Sequence, residues 1–253
     1  MCGRYAASRH ADQLVEMFEV DEVVEPTPDP GKRPWTQPSW NVAPTDEVPV
    51  VLTRRPKDDP DQARRKLVGL RWGLVPSWAK DPTQGARLIN ARLETVAEKP
   101  SFRKAFSARR CLVPADGYYE WYSSPNAAAK TPKQPFYIHP KDSPVMVMAG
   151  IYEFWRNPAA EPGDPQAWLS TCSIITTSAA DDLGMIHDRM PVQVLPEHWD
   201  DWLDPDLTDT GAALGLVHVP QPGQMSARAV SRLVSSVRND GPELVEPIEV
   251  EDA

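Results

Sequence analysis

Between Val48 and Thr177 the apolar residues come only in short runs, each cut off by proline, glycine or a charged tract. The runs are Val48–Leu52, Leu67–Leu74, Cys111–Val113, Gly117–Tyr122, Phe136–His139, Val145–Phe154 and Trp168–Thr177. Runs this short, rich in β-branched and aromatic residues, read as strands, and a succession of them implies a sheet that bends back on itself. With 28 prolines in 253 residues, long regular elements are excluded almost everywhere. The expected fold is α+β: a single domain with a strongly bent or barrel-like, mostly antiparallel sheet flanked by short helices.

Helical spacing is confined to the ends and one central segment. Ala11, Leu14, Val15 and Phe18 predict a helix over 9–20 with Ser8 as its N-cap. A mixed pattern over 93–107 predicts another, broken at Pro100. Pro196 opens a short helix to Leu203, a further one is expected over 207–216, and Val230–Val237 is expected to return to the sheet. Stretches 25–38 (five prolines) and 156–167 read as Pro-rich surface loops, 54–66 as an exposed hairpin tip and 123–134 as a low-complexity loop. With no repeat and no dividing linker, one domain is expected over 1–245, followed by a frayed acidic tail at 246–253.

Composition narrows the setting. No apolar stretch approaches the ~20 residues of a membrane-spanning helix and no charged n-region precedes an apolar run, so neither membrane nor secretion is expected. Cys2, Cys111 and Cys172 are an odd count without paired spacing, which argues against disulfides and a zinc site and for a reducing cytoplasm. Cys111 and Cys172 sit in apolar runs and read as core thiols. The net charge of −9 disfavours a general polyanion binder but leaves room for a local basic groove.

The chemistry concentrates in five clusters. Cys2-Gly3-Arg4-Tyr5 would, on removal of Met1, begin with a free α-amine and a thiol on one residue. Such a 1,2-aminothiol condenses with an aldehyde and then closes a five-membered thiazolidine. The others are Trp40-Asn41-Val42-Ala43-Pro44-Thr45; Arg71-Trp72-Gly73-Leu74-Val75-Pro76-Ser77-Trp78 with Asn90-Ala91-Arg92-Leu93-Glu94; Pro114 to Trp121; and Thr176-Thr177-Ser178 with Ile186-His187-Asp188-Arg189-Met190-Pro191-Val192. On the strand 117–122 the period-2 rule puts Tyr118, Glu120 and Tyr122 on one face, where aromatic surroundings push a carboxylate towards its protonated form. Taken singly, each residue also has a plainer reading: Glu120 as an edge-strand glutamate, Asn90 as a helix cap, His187 as a structural histidine, and Arg4, Arg92 and Arg189 as salt-bridge partners.

In this order the clusters resemble the SRAP family, whose pattern is an N-terminal Met-Cys-Gly-Arg followed by WGL-P-W, N-A-R-x-E, G-x-Y-E-W and H-x-R-M-P blocks. The resemblance spans roughly residues 2–192, and Arg238 to Leu244 extend it. It implies an abasic-site processing protein that binds single-stranded DNA and captures the ring-opened aldehyde on Cys2 as a covalent thiazolidine. The implied catalytic residues are Cys2, Asn90, Glu120 and His187, and the implied DNA contacts are Arg4, Trp72, Trp78, Arg92 and Arg189. Further expectations are a cytoplasmic monomer, nucleoid-associated when bound to DNA, working without metal or other cofactor. The competing expectation is an N-terminal-cysteine thiol peptidase, possibly autoproteolytic. Trp155, Trp168, Trp199 and Trp202 are expected in the core.

Overall fold

Five of the short strands close into a ring. In the computed structural model, which describes residues 2–26, 33–56, 59–124, 132–179 and 183–249, Arg64–Trp72 pairs with Glu47–Arg54, that strand with Arg110–Ala115, and that one in turn with Met146–Arg156. Met146–Arg156 forms a long antiparallel hairpin with Trp168–Ser178, which closes the barrel by lying parallel to the first strand, Thr171 opposite Arg71 and Cys172 opposite Trp72. Closure pairs the strand edges that a flat sheet would leave open.

Strand alternation sorts the side chains into two layers. Val50, Leu70, Val113, Met148 and Ile174 share one cluster, while their neighbours Val51, Leu112, Ala149 and Ile175 share another with the helix residues Leu14, Phe106, Trp202 and Ala213. Helices fit only outside so small a ring, so the first cluster is the barrel interior. Cys111 and Cys172 lie in it, both buried.

A second, five-stranded antiparallel sheet runs in the order Met225–Ala229, Gln134–Pro140, Gly117–Tyr122, Tyr5–Ala7 and Ser39–Val42. Its Tyr5, Val42, Tyr118 and Ile138 join the interior cluster, so the N-terminus is drawn onto the barrel. Gly117 allows this packing, since a Cβ there would stand 2.6 Å from the Ile138 carbonyl oxygen and 2.7 Å from the Tyr137 hydroxyl. After the barrel strand ending at Trp72, Gly73 adopts φ 129°, and its backbone meets that of Gly85 too closely for either to carry a Cβ.

The helices are short, and several expectations need correction. The first runs Ala11–Met17 and is capped by His10 with Gln13; Ser8 instead donates its N–H to Asp116 Oδ2. Pro100 separates a 3₁₀ turn, Leu93–Thr95, from a helix, Arg103–Ala108. Pro196–His198 and Trp199–Leu203 form one 3₁₀-then-α unit, and Thr210–Gly215 starts at its Asp209 cap. Residues 230–237 do not return as a strand: Val230 makes a single bridge to Pro247, and Arg232–Ser235 is a 3₁₀ turn. Within the acidic tail, Pro247 bridges Val230 and the Ile248 N–H reaches the Ala229 carbonyl; 250–253 lie outside the described residues. Trp168 is 57% exposed and not core, whereas Trp155 and Trp202 are buried and Trp199 packs on Phe18. In the Pro-rich 25–38 stretch, 27–32 lie outside the described residues, but Trp35 is buried over Gly69. Residues 57–58 of the hairpin tip and 125–131 of the low-complexity loop also lie outside them. The 156–167 segment is a closed loop, tied by Asn157 N–H to the Ala167 carbonyl.

Candidate functional site

Cys2 lies fully buried just before the strand Tyr5–Ala7, which pairs Tyr5 with both Tyr118 and Val42. The neighbouring strand, Gly117–Tyr122, turns Glu120 to the same side as Tyr118. A third element arrives from the barrel: Asn90–Arg92 runs parallel to Trp168–Ser178, with Asn90 opposite Ile174. Asn90 Nδ2 donates to the Cys2 carbonyl at 2.7 Å, while its Oδ1 is buried and accepts no hydrogen bond among the described residues. His187 follows the short helix Leu183–Ile186 and places Nε2 3.9 Å from Glu120 Oε2. Four segments far apart in sequence thus meet, and the cluster unites Cys2, Asn90, Glu120 and His187. Met1 lies outside the described residues.

Burial sets the charges here. It pushes the Cys2 thiol well above its usual range, with the nearby Glu120 charge adding to the effect. It also raises the Glu120 carboxyl to about 7, and it lowers the His187 imidazole. Burial thus favours the neutral thiol, moves the carboxyl towards its protonated form and favours the neutral imidazole. His187 Nδ1 lies 3.0 Å from the Arg189 backbone nitrogen and 3.0 Å from Asp188 Oδ1. A neutral Nδ1 cannot serve both; the Arg189 N–H can only donate, so Nδ1 accepts and Nε2 carries the proton, facing Glu120.

Beside Asn90 opens a cleft of about 240 Å³ lined by Arg87, Leu88, Asn90, Arg92, Lys99, Phe102, Thr176 and Arg189. Arg92 is exposed at its rim. Arg189 also lines it, but its guanidinium is held by Glu94 through Nη1 to Oε1 at 2.8 Å and Nη2 to Oε2 at 3.0 Å, which keeps the Glu94 carboxyl down at about 2.

Two of the residues read as DNA contacts also make contacts inside the fold. Trp72 is fully buried, donates its indole N–H to the Ile89 carbonyl at 2.9 Å and packs edge-on against Tyr5. It cannot stack on a base; it supports the strand that carries Asn90. Arg4 spends one guanidinium nitrogen on Asn41 Oδ1 (2.8 Å) and the Val234 carbonyl (2.9 Å), with the group 5.7 Å over the Trp121 ring. It ties the N-terminal strand to the C-terminal segment. Trp78 is 61% exposed on the turn after Gly73, whose neighbours Val75 and Ala79 pack with Trp155. Sequence reasoning gave no role to Glu94, Arg87 or Lys99. Glu94 stood inside a quoted block, but only its partner across space reveals what it does. Among the described residues there is no group of three or more His, Cys, Asp or Glu side chains placed to hold a metal.

The family model described as SOS response associated peptidase (SRAP) matches residues 1–237, and the chain belongs to that family. Over 246 residues it is 39% identical to the abasic site processing protein YoqW of Bacillus subtilis (strain 168), covering 97% of this chain and 99% of that one. It is 34% identical to the abasic site processing protein HMCES of Gallus gallus, covering 99% of this chain and 79% of that one. Among solved structures, a protein from Bacteroides thetaiotaomicron superposes with a TM-score of 0.74 at 25% identity, covering 98% of this chain and all of the other.

Proposed function

We propose that this protein processes abasic sites in single-stranded DNA by joining Cys2, once Met1 is removed, to the ring-opened sugar as a thiazolidine. The observation that carries the reading is the convergence of an amide, a carboxyl and an imidazole at Cys2: Asn90 bonded to its carbonyl, Glu120 on the adjoining strand, and His187 Nε2 3.9 Å from Glu120. The relatives named for abasic-site processing support it.

An abasic deoxyribose equilibrates between a closed hemiacetal and an open aldehyde. The His187 Nε2–H hydrogen-bonds the sugar ring oxygen, which takes a proton from the Glu120 carboxyl as the C1–O bond breaks, while the anomeric hydroxyl returns its proton to the Glu120 carboxylate, so that both side chains end as they began. The Cys2 amine, with an ordinary pKa near ~8, attacks the aldehyde carbon. A C–N bond forms, and the carbonyl oxygen leaves as water after protonation by Glu120. The product is an iminium, which alone would acidify the adjacent C–H and invite strand cleavage by β-elimination. Its positive charge favours the neighbouring thiolate; Glu120, now ionised, takes the thiol proton and sulfur adds to the same carbon. The iminium is consumed and the ring is neutral. One water is released in all, and Glu120 returns to its starting state. Asn90 Oδ1 is placed to hold the amine. Arg87, Arg92 and Lys99 would take the flanking phosphates. No step in this scheme requires a metal or diffusible cofactor, and a single chain carries all four groups.

The peptidase alternative finds less support. Both imidazole nitrogens of His187 face other groups, Nδ1 the Arg189 N–H and Asp188, and Nε2 the Glu120 carboxylate. The test is a denaturing gel of the mature protein with an abasic oligonucleotide. A shifted band is expected with the wild type and is expected to be absent with Cys2→Ala or with an extra, unremovable residue ahead of Cys2. A wild-type protein that gives no shifted band, or a band that persists with the amine blocked, overturns the reading.

A further inference from the structure

We infer that Glu94 is a positioning residue for this reaction: by gripping Arg189 it fixes the Arg189 backbone N–H against His187 and so selects the imidazole tautomer that presents Nε2–H to Glu120. The inference rests on the proposed function for its kinetic consequence but not for its structural one.

Glu94 lies on the 3₁₀ turn Leu93–Thr95, directly after the strand that carries Asn90. Both its oxygens hold the Arg189 fork, and Oε1 also accepts from the Thr177 hydroxyl at 3.1 Å. Arg189 Nη2 donates further to the Thr176 carbonyl at 2.6 Å. The guanidinium is thus pinned to two elements, the turn and the long barrel strand. Arg189 is the first residue of the strand Arg189–Pro191, where pairing with Trp168–Ser178 begins, and its N–H is given to His187 Nδ1 instead of to the ladder.

That N–H has a competitor. Asp188 Oδ1 stands equally close to Nδ1 and would stabilise the other tautomer, with Nδ1–H and a bare Nε2. In that state Nε2 has no hydrogen bond to offer, and Glu120 faces a lone pair. The charged groups acting on His187 include the N-terminal amine, Glu120, Asp188 and Lys133, with Arg189 beside it. Of these, Asp188 pulls towards the unproductive tautomer. A clamp on Arg189 opposes it, and the clamp is Glu94. Because a half-exposed ion pair contributes little to folding, a Glu94 variant is expected to fold.

The test compares wild type with Glu94→Gln in three measurements. Imidazole nitrogen chemical shifts in the free, histidine-labelled protein report the His187 tautomer. The limiting crosslinking rate at saturating abasic oligonucleotide, followed across pH, reports chemistry. Affinity for an intact oligonucleotide reports the cleft. Expected in Glu94→Gln are a detectable Nδ1–H population, a limiting rate lowered about tenfold with an altered pH profile, and unchanged or tighter binding to the intact strand, since a negative charge has left the cleft rim. Arg189→Lys, which loses the fork, should show the same tautomer change, and the double variant should be no worse in rate than Arg189→Lys. Retention of the Nε2–H tautomer in Glu94→Gln overturns the inference, whether the rate is unchanged or falls together with affinity. Failure of wild type to crosslink would instead overturn the proposed function, while the tautomer shift would still decide the structural claim.

Discussion

Glu120 shows how burial and chemistry share one side chain. Its carboxyl is raised to about 7 in the folded protein, against about 4.3 in an unfolded chain. As pH rises between those values the unfolded chain loses its proton first, so folding stability falls across that window and levels off above it. Below pH 4 both states are protonated and the group is neutral to stability. Glu120→Gln is therefore expected to raise stability at pH 8 by roughly 1–3 kcal/mol, and to change it little at pH 4, in paired thermal melts. The same variant should suppress crosslinking. Glu94 has the opposite sign: its lowered carboxyl contributes stability above about pH 4 that is lost as pH falls towards 2. Asn90→Ala removes the bond to the Cys2 carbonyl and is expected to slow crosslinking at least tenfold while costing about 1 kcal/mol in a urea melt.

At the scale of elements, Arg110 explains how two very short helices hold to the barrel. It is buried at the start of the strand Arg110–Ala115, and its guanidinium donates to the carbonyls of Phe106, Ser107, Trp202 and Asp204. Those are carbonyls in the last turn of Arg103–Ala108 and Trp199–Leu203 and at the Asp204 cap that follows, the groups a helix end leaves without intrahelical partners and where a cation is favoured. One residue thus caps two helices at the C-terminal end. Arg110→Met should lower stability by about 3–5 kcal/mol, read as a shift in the urea midpoint. Arg110→Lys should recover only part of it, since one ammonium cannot span four carbonyls.

Over the whole molecule, a net charge of −9 coexists with a cleft that gathers Arg87, Arg92, Lys99 and Arg189. With Arg189 committed to Glu94, three cations are left to meet phosphates. Binding of an intact single strand is therefore expected to weaken with salt, the logarithm of the affinity falling with a slope of about −2 against the logarithm of salt concentration. Anisotropy titrations over a salt series measure it. Arg92→Glu should flatten the slope and weaken binding about tenfold, and a slope near zero would show that the cleft does not hold DNA.

The sequence by itself marked the longer barrel strands, because short apolar runs cut by proline and charge state where a strand can lie. It missed the short strands Tyr5–Ala7 and Asn90–Arg92 that carry Cys2 and Asn90 to the site, and it named Cys2, Asn90, Glu120 and His187 only as candidate reagents. Pairing was another matter. The barrel closes by a parallel contact between Arg64–Trp72 and Trp168–Ser178, about a hundred residues apart, and periodicity names a face without naming its neighbour. Trp72 and Trp78 stand six positions apart in one block, yet one is walled into the core under Asn90 and the other faces solvent. Arg4 and Arg92 are the same residue type, but Arg4 is half-buried and gives Nη1 to Asn41 and Val234, residues remote in sequence that tertiary packing brings to it, while Arg92 is exposed. Which polar groups are available, and which are held by others, depends on distances through space, and only the folded chain sets those.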